Sequence, residues 1–336
     1  MPEFHAAISK IAYYLPETVL TNDKIVDELS KWTPEQIYEK LGIRARHVAR
    51  QEETALDLAA QAADQLFAGN PDIDRSAIDL LVFCTQSPDY VLPTSACILQ
   101  NRLGLPNSCA AFDFNLGCSG YIYGLSIIKG MLETGQCQKA LLLTGETYSK
   151  WMDTKDISVM SIFVDAGTAT LVEKSETGRM GPFVFGTDGE GAHHLIVHGS
   201  GARPLANDPL LSNLPPHHLR ETLYMDGPEI YSFTLKRVPD LFRKLLAAAD
   251  VTIEKIDLVV FHQANKYLLE QLRKYCIISL DRFVMDFEDY GNTVSCTIPI
   301  VLSNLMKNHQ LQSGMRLVLV GFGVGLSWGG CLVDWR

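Results

Sequence analysis

The sequence predicts an α/β chain in which one strand-and-helix unit occurs twice. An apolar run at 78–83 (IDLLVF) is nearly repeated at 256–261 (IDLVVF). A second run at 140–145 (ALLLTG) resembles 317–321 (LVLVG) in placement and character. Continuous apolar runs of this kind are typical of buried strands in parallel sheets. Residues 175–222 are rich in Gly, Pro and His, and predict a loop-rich connection between the copies.

Two similar halves, over residues 1–174 and 175–336, imply two sheets with helices between and outside them. Helical patterns are predicted at 22–30, 54–68, 94–103, 119–132, 227–249 and 265–276. Thr54 followed by Asp57 is a capping-box pattern at the start of one of them. Because ligands of such sheets bind at the carboxyl ends of strands, the chemistry is expected just after the duplicated strands.

The composition excludes several classes of protein. A net charge of −10 over 336 residues argues against nucleic-acid binding, which needs a basic face. No apolar run reaches the roughly 18 residues of a membrane span, and no secretion signal is visible, so we expect a cytoplasmic enzyme with no membrane insertion. The eight cysteines form no CxxC pair, and the adjacent pairs His193-His194 and His217-His218 point apart, so we expect no metal.

Cys118 lies in NLGCSG, between a short strand pattern and a helical pattern. A helix N-terminus favours the thiolate form of a cysteine, and the glycines on either side permit a tight turn. On position alone, a nucleophile and an inert core thiol both remain open.

Two further polar residues occupy matching places in the second half. His262 opens HQAN directly after the duplicated strand, and Asn292 in YGNT stands in the slot that Cys118 occupies in the first copy. A pseudo-twofold axis brings the two helix starts together. A structural histidine and a simple Gly-Asn turn are the alternative interpretations.

These motifs in this order, with GFGVGLSWGG near the end and GIRARH at 42–47, resemble the thiolase superfamily. The closer resemblance is to β-ketoacyl-acyl-carrier-protein synthase III, and it covers essentially the whole chain. It implies a thiolase-like fold with five layers in the order α-β-α-β-α. It also implies a homodimer, with the strand around 110–114 at the interface and the 86–95 segment crossing over.

The resemblance implies a mechanism that needs no cofactor. Cys118 takes an acyl group from coenzyme A or an acyl carrier protein, and the backbone N–H groups of Cys118 and Val324 form the oxyanion hole. A malonyl thioester then loses carbon dioxide, and His262 and Asn292 donate hydrogen bonds to its thioester oxygen. The resulting carbanion attacks the acyl group to give a 3-oxoacyl product.

The resemblance also implies the residues that bind substrate: Lys40, Arg44, Lys266, Leu92 and Gly323. Four positions depart from the family pattern. Gln36 stands where Trp is usual, with Trp32 outside that register, and Tyr267 stands where Arg is usual. Leu92 replaces a Phe that closes the partner's acyl pocket, and Val324 replaces a common Gly.

The leading hypothesis is therefore decarboxylative condensation in fatty-acid or specialised lipid biosynthesis. The departures favour, as an alternative, transfer of the Cys118-bound acyl group to a hydroxyl or amine acceptor. A thioester hydrolase and a non-catalytic subunit are weaker hypotheses. Glu146, at a strand end, is either a general base for condensation without decarboxylation or a structural carboxylate.

Overall fold

A computed structural model describes residues 4–26, 32–215, 218–219 and 221–336. The strands are β1 His5–Tyr14, β2 Thr18–Thr21, β3 Ala45–Val48, β4 Leu80–Cys84, β5 Ala110–Phe114, β6 Lys139–Glu146, β7 Ala166–Ser175, β8 Arg179–Thr187, β9 Leu195–Val197, β10 Leu223–Met225, β11 Leu258–Phe261, β12 Phe283–Val284, β13 Arg316–Gly323 and β14 Ser327–Asp334. The α-helices are α1 Asn22–Ile25, α2 Pro34–Leu41, α3 Ala55–Gly69, α4 Ser95–Arg102, α5 Gly120–Glu133, α6 Ile157–Met160, α7 Gly227–Ala248, α8 Lys266–Tyr275 and α9 Thr297–Lys307.

Two five-stranded sheets have the same internal arrangement. The first has the order β1-β7-β6-β4-β5 and the second β8-β14-β13-β11-β12. In each sheet the last three strands of this order run parallel to one another. The second strand pairs antiparallel with both the first and the third. This match confirms the duplication predicted from the repeated apolar runs. The boundary that we place after residue 174 falls at the last residue of β7.

The helices complete the five layers that the resemblance implies. Helix α5 contacts strands of both sheets, as does α9, so these two helices form the central layer. Helices α3 and α4 cover the outer face of the first sheet, and α7 and α8 cover that of the second. The central layer therefore holds the first turns of α5 and α9, one from each half, between the two sheets.

Helix α3 begins and ends where the sequence predicts. Thr54 accepts a hydrogen bond from the Asp57 backbone N–H, and the Asp57 carboxylate accepts one from the Thr54 backbone N–H. This reciprocal capping satisfies two donors that a helix start otherwise leaves unpaired. The helix ends at Gly69, just before Asn70-Pro71.

Two predicted segments differ from the structure. Strand β8 lies inside the segment predicted as a loop-rich connection. The sequence did not predict this strand because Gly181 and Pro182 interrupt its apolar pattern. Proline is tolerated there since β8 is an edge strand. The helix predicted at 22–30 is a single turn, α1, and residues 27–31 lie outside the described part of the chain.

The contact between β7 and α3 gives a test of this packing. A Cβ atom at Gly167 would lie 2.2 Å from the backbone carbon of Leu58, so Gly167→Ala forces the helix and the sheet apart. We expect a loss of about 1–3 kcal/mol in the free energy of unfolding, the usual cost of overpacking. Gly130→Ala in α5 is the matched control, because a Cβ there meets nothing within 4 Å. Equal effects in urea titrations of the two variants would contradict the predicted contact.

Candidate active site

Cys118 lies in the turn between β5 and α5, two residues before the first residue of the helix. Its side chain is buried, and strand β13 of the second half packs directly across it. A Cβ atom at Gly323 would lie 2.7 Å from the Cys118 Sγ, and one at Gly321 would lie 2.8 Å from the Cys118 carbonyl oxygen. Glycine is required at these two positions for β13 to approach so closely.

Burial dominates the ionisation of Cys118. Removal from water raises the pKa of its thiol to about 12, and the nearby Glu146 carboxylate acts in the same direction. Hydrogen bonds from the backbone N–H groups of Val324 and of Cys118 itself oppose the rise. The thiolate form that we expected from the helix start alone is thus outweighed by desolvation, and the resting residue is a thiol.

The same two N–H groups are the pair that the family resemblance implies for the oxyanion hole. The Val324 side chain does not obstruct them, because it lies over Gly117, where a Cβ atom would be only 2.4 Å from its Cγ1. Glycine at 117 therefore makes room for the valine that replaces the more common glycine at 324.

His262 follows β11, and its backbone N–H donates to the Val320 carbonyl at 2.7 Å. Its Nδ1 lies 2.8 Å from Thr297 Oγ1, and the Phe322 ring packs edge-on at 5.4 Å between centroids. Burial lowers the pKa of the imidazole to about 3, with the Val294 carbonyl acting weakly in the opposite direction. His262 is therefore a neutral imidazole held in one orientation.

Asn292 is held by its backbone and by its own side chain. Its N–H donates to the Ile162 carbonyl at 3.0 Å, and its carbonyl accepts from the Val164 N–H at 3.1 Å. Its Oδ1 accepts from the Val294 N–H at 2.9 Å. Because Oδ1 is engaged, the Nδ2 group is the part of the amide that can donate to a ligand.

These three predicted residues line one cavity of about 570 Å³. Most of its remaining wall is apolar, with Leu195 and Met225 from the β9–β10 pair. A mainly apolar cavity that contains a thiol, an imidazole and an amide suits a ligand with an apolar chain and one reacting polar group.

Some of the predicted substrate-binding residues lie at the cavity, and others lie away from it. Lys40 and Gly323 line the cavity. Lys266 begins α8, and its Cβ packs against Gly42, near the same mouth. Arg44 points to solvent, and its Nε lies 3.2 and 3.4 Å from carboxylate oxygens of two acidic residues, Glu288 and Asp289. Leu92 is 81% exposed, away from the described lining.

The mouth also contains aromatic residues that sequence reasoning missed or set aside. Trp32 lines the cavity although it lies outside the family register, and the Lys40 Nζ is 4.5 Å from its ring centroid. Gln36 occupies the position where the family has tryptophan, and it forms the capping box of α2 together with Thr33. Tyr267 stacks on Tyr231 at 5.6 Å. Spacing could not reveal these pairs, because tertiary packing brings the partners together.

Glu146 lies outside the described lining of the cavity. Its carboxylate accepts hydrogen bonds from the Gln86 N–H at 3.1 Å, Ser87 Oγ at 3.2 Å and Ser295 Oγ at 3.0 Å. Burial raises its pKa to about 8. Since these donors come from both halves, the geometry favours the structural interpretation of this carboxylate over a general base.

Among the residues that the structure describes, no three His, Cys, Asp or Glu side chains come together as metal ligands. The rings of His193 and His194 have centroids 4.0 Å apart and planes tilted by 44°, so the expectation that this pair points apart is wrong. His217 lies outside the described residues. Every helix within the described ranges is too short or too polar to span a lipid bilayer.

Comparisons with known proteins agree with this geometry. Two family models match the chain. The model described as 3-oxoacyl-[acyl-carrier-protein] synthase III matches residues 112–189, and the model of the C-terminal part of that family matches residues 246–335. The chain is 32% identical to the β-ketoacyl-[acyl-carrier-protein] synthase III of Caldanaerobacter subterraneus, over 98% of both chains. A crystal structure of a 3-oxoacyl-(acyl-carrier-protein) synthase III superposes with a TM-score of 0.92 at 48% identity, covering 98% of this chain and 100% of the other. The Burkholderia xenovorans enzyme gives 0.90 at 35% identity, covering 98% and 94%.

The two duplicated halves, with a cysteine, a histidine and an asparagine on one cavity, define a thiolase-fold enzyme. The chain belongs to the β-ketoacyl-[acyl-carrier-protein] synthase III family.

The raised pKa of Cys118 predicts how its reactivity depends on pH. Because the thiolate fraction grows tenfold per pH unit below the pKa, alkylation by iodoacetamide should keep accelerating from pH 7 to 9.5. The measurement is the rate at which the Cys118 peptide is modified, followed by mass spectrometry. Cys97 is exposed and serves as an internal reference. A rate for Cys118 that levels off near pH 7 would show a thiolate in the resting enzyme instead.

Proposed function

We propose that Cys118 carries an acyl group and that the enzyme joins it to a malonyl thioester with loss of carbon dioxide. The observation that carries the proposal is the convergence of Cys118, His262 and Asn292 on one mainly apolar cavity. The relatives support a place in fatty-acid biosynthesis, and we place the enzyme in the cytoplasm.

In the first half-reaction, the Cys118 thiol loses its proton and its sulfur attacks the carbonyl carbon of the donor thioester. The new C–S bond forms while the carbonyl electron pair moves to oxygen, where the N–H groups of Cys118 and Val324 stabilise the charge. The carbonyl then re-forms and expels the donor sulfur as a thiolate, which takes up the proton that Cys118 lost.

In the second half-reaction, a malonyl thioester binds and its C–C bond to the carboxylate breaks. Carbon dioxide leaves, and the electron pair is shared with the thioester oxygen as an enolate. Asn292 Nδ2 and His262 Nε2 donate hydrogen bonds to that oxygen. For this step the neutral imidazole carries its proton on Nε2, and the Thr297 hydroxyl donates to Nδ1. The carbanion attacks the acyl carbon, and Cys118 leaves as a thiolate and is reprotonated.

The mouth of the cavity suits the long phosphorylated arm that coenzyme A and acyl carrier protein share. Lys40 and Lys266 supply positive charge there, while Arg44 is occupied by two carboxylates. The proposed donor is therefore acyl-CoA or an acyl carrier protein, bound through a lysine-lined mouth in which Trp32 also takes part.

We also propose that the enzyme is a homodimer. Strand β5 is an edge of the first sheet and has one unpaired side, which is an available surface for a second β5. The neighbouring segment exposes Val91 at 95% and Leu92 at 81%, a large apolar surface for a protein in water. Burial of both features in one interface supports a twofold partner.

Labelled substrates test the central proposal. Incubation with radiolabelled acetyl-CoA or octanoyl-CoA should place label on the wild-type enzyme and on Cys97→Ala, but not on Cys118→Ala. If Cys118→Ala still acquires label, the assignment of the nucleophile is wrong.

His262→Ala and Asn292→Ala test the second half-reaction. Each should keep acylation and lose about 100- to 1000-fold in release of carbon dioxide from malonyl carrier protein, the usual cost of one lost donor. If wild-type enzyme is acylated but releases carbon dioxide from no malonyl thioester, and an alcohol or amine removes the label, the enzyme is an acyltransferase instead.

The proposed dimer predicts the effect of charge in the exposed segment. Val91→Asp should give monomers in sedimentation experiments, because a carboxylate would be buried without a partner. Ile277→Asp is the matched control, since Ile277 is also exposed, at 85%, but lies at the end of α8. A Val91→Asp variant that sediments like wild type would exclude this segment from an interface.

A further inference from the structure

Two buried hydroxyl groups connect the Cys118 turn to the loop that contains Val324. Ser119 Oγ and Ser327 Oγ are 2.6 Å apart, and Ser327 Oγ is 2.9 Å from the Val324 carbonyl oxygen. A carbonyl only accepts hydrogen bonds, so Ser327 must donate to it. Ser119 must then donate to Ser327. The hydrogen bonds therefore run in one direction, from Ser119 through Ser327 to Val324.

This chain of hydrogen bonds acts on a short turn of the second half. Residues 324–326 form the turn between β13 and β14, with Gly323 before them and Gly325 within them. Gly325 has a φ of +139°, which L side chains rarely adopt. The backbone pair between Asp188 and Leu326 holds the far side of the turn.

The near side of the turn is the part that faces the nucleophile. There the backbone lies against the Cys118 sulfur, since a Cβ atom at Gly323 would be 2.7 Å from Sγ, and the Val324 N–H lowers the pKa of that thiol. The Val324 side chain lies over Gly117, which limits how far the residue can shift but not how its peptide groups rotate. A hydrogen bond to the Val324 carbonyl restricts that rotation, because it fixes the peptide that follows the N–H.

We propose that Ser119 and Ser327 are positioning residues that hold the Val324 N–H in the oxyanion hole. Ser119 is adjacent to the nucleophile, so the chain of hydrogen bonds sets the distance between Cys118 and the donor directly. The inference rests on the proposed function, in which the acyl oxygen becomes negative as the Cys118 sulfur adds to the thioester carbon. Both residues are buried and lie outside the described lining of the cavity.

Single-turnover acylation by acetyl-CoA, followed by mass spectrometry of the intact enzyme, tests this role. Ser327→Ala should lower the acylation rate constant about 10- to 100-fold, less than outright loss of an oxyanion donor. The acetyl-CoA concentration at half-maximal rate should stay unchanged. Ser327→Thr keeps the hydroxyl and should retain most of the rate. Ser119→Ala should have a smaller effect, since Ser327 can still bond to Val324.

The double variant distinguishes a connected chain of hydrogen bonds from two hydroxyl groups that contribute independently to the acylation rate. Because Ser119 acts through Ser327, Ser119→Ala should cost nothing further once Ser327 is alanine. Alkylation of Cys118 by iodoacetamide forms no oxyanion, so Ser327→Ala should slow it far less than acylation. Ser303→Ala is the structural control: it also removes a buried hydroxyl, one bonded to the Ile11 carbonyl, and should leave acylation unchanged.

Equal losses in acylation and alkylation, additive losses in the double variant, or normal acylation by Ser327→Ala would each overturn the positioning role. These outcomes all require wild-type enzyme that is acylated. A wild-type enzyme that never acquires an acyl group on Cys118 would instead overturn the proposed function.

Discussion

The close approach of β13 to the Cys118 turn is the constraint on which the rest of the site depends. Gly321 and Gly323 leave no room for a side chain between the strand of one half and Cys118 of the other. This contact buries the thiol, brings the Val324 N–H to the sulfur and places Phe322 against His262. The active site is thus a product of the interface between the two halves, and neither half contains it alone.

Exclusion of water then decides the charge states in the site. Burial moves the pKa of Cys118 up, that of His262 down and that of Glu146 up, and in each case it favours the neutral form. In such a buried site, a hydrogen bond aimed at a developing negative charge is stronger than the same bond in water. The backbone N–H groups and the Asn292 amide need no ionisation to donate, which suits a reaction in which negative charge develops on thioester oxygens.

Much of this structure could be predicted from the periodicity of apolar residues and the spacing of motifs in the sequence. The repeated apolar runs predicted β4 and β11, and the order of the two sheets confirmed the duplication. The matching slots predicted that Cys118, His262 and Asn292 converge. Strand β8 was missed because Gly181 and Pro182 conceal its alternation, which only its pairing with β14 reveals.

The sequence by itself determined the fold class and the two halves and predicted the three candidate reactive residues, because strand patterns and helix starts are local features. Only the tertiary structure decided how those residues ionise and what surrounds them. Desolvation of Cys118 depends on β13, some 200 residues away in the chain, and the occupation of Arg44 depends on Glu288 and Asp289. The Ser119–Ser327–Val324 hydrogen bonds likewise join distant segments, so no local pattern could show them.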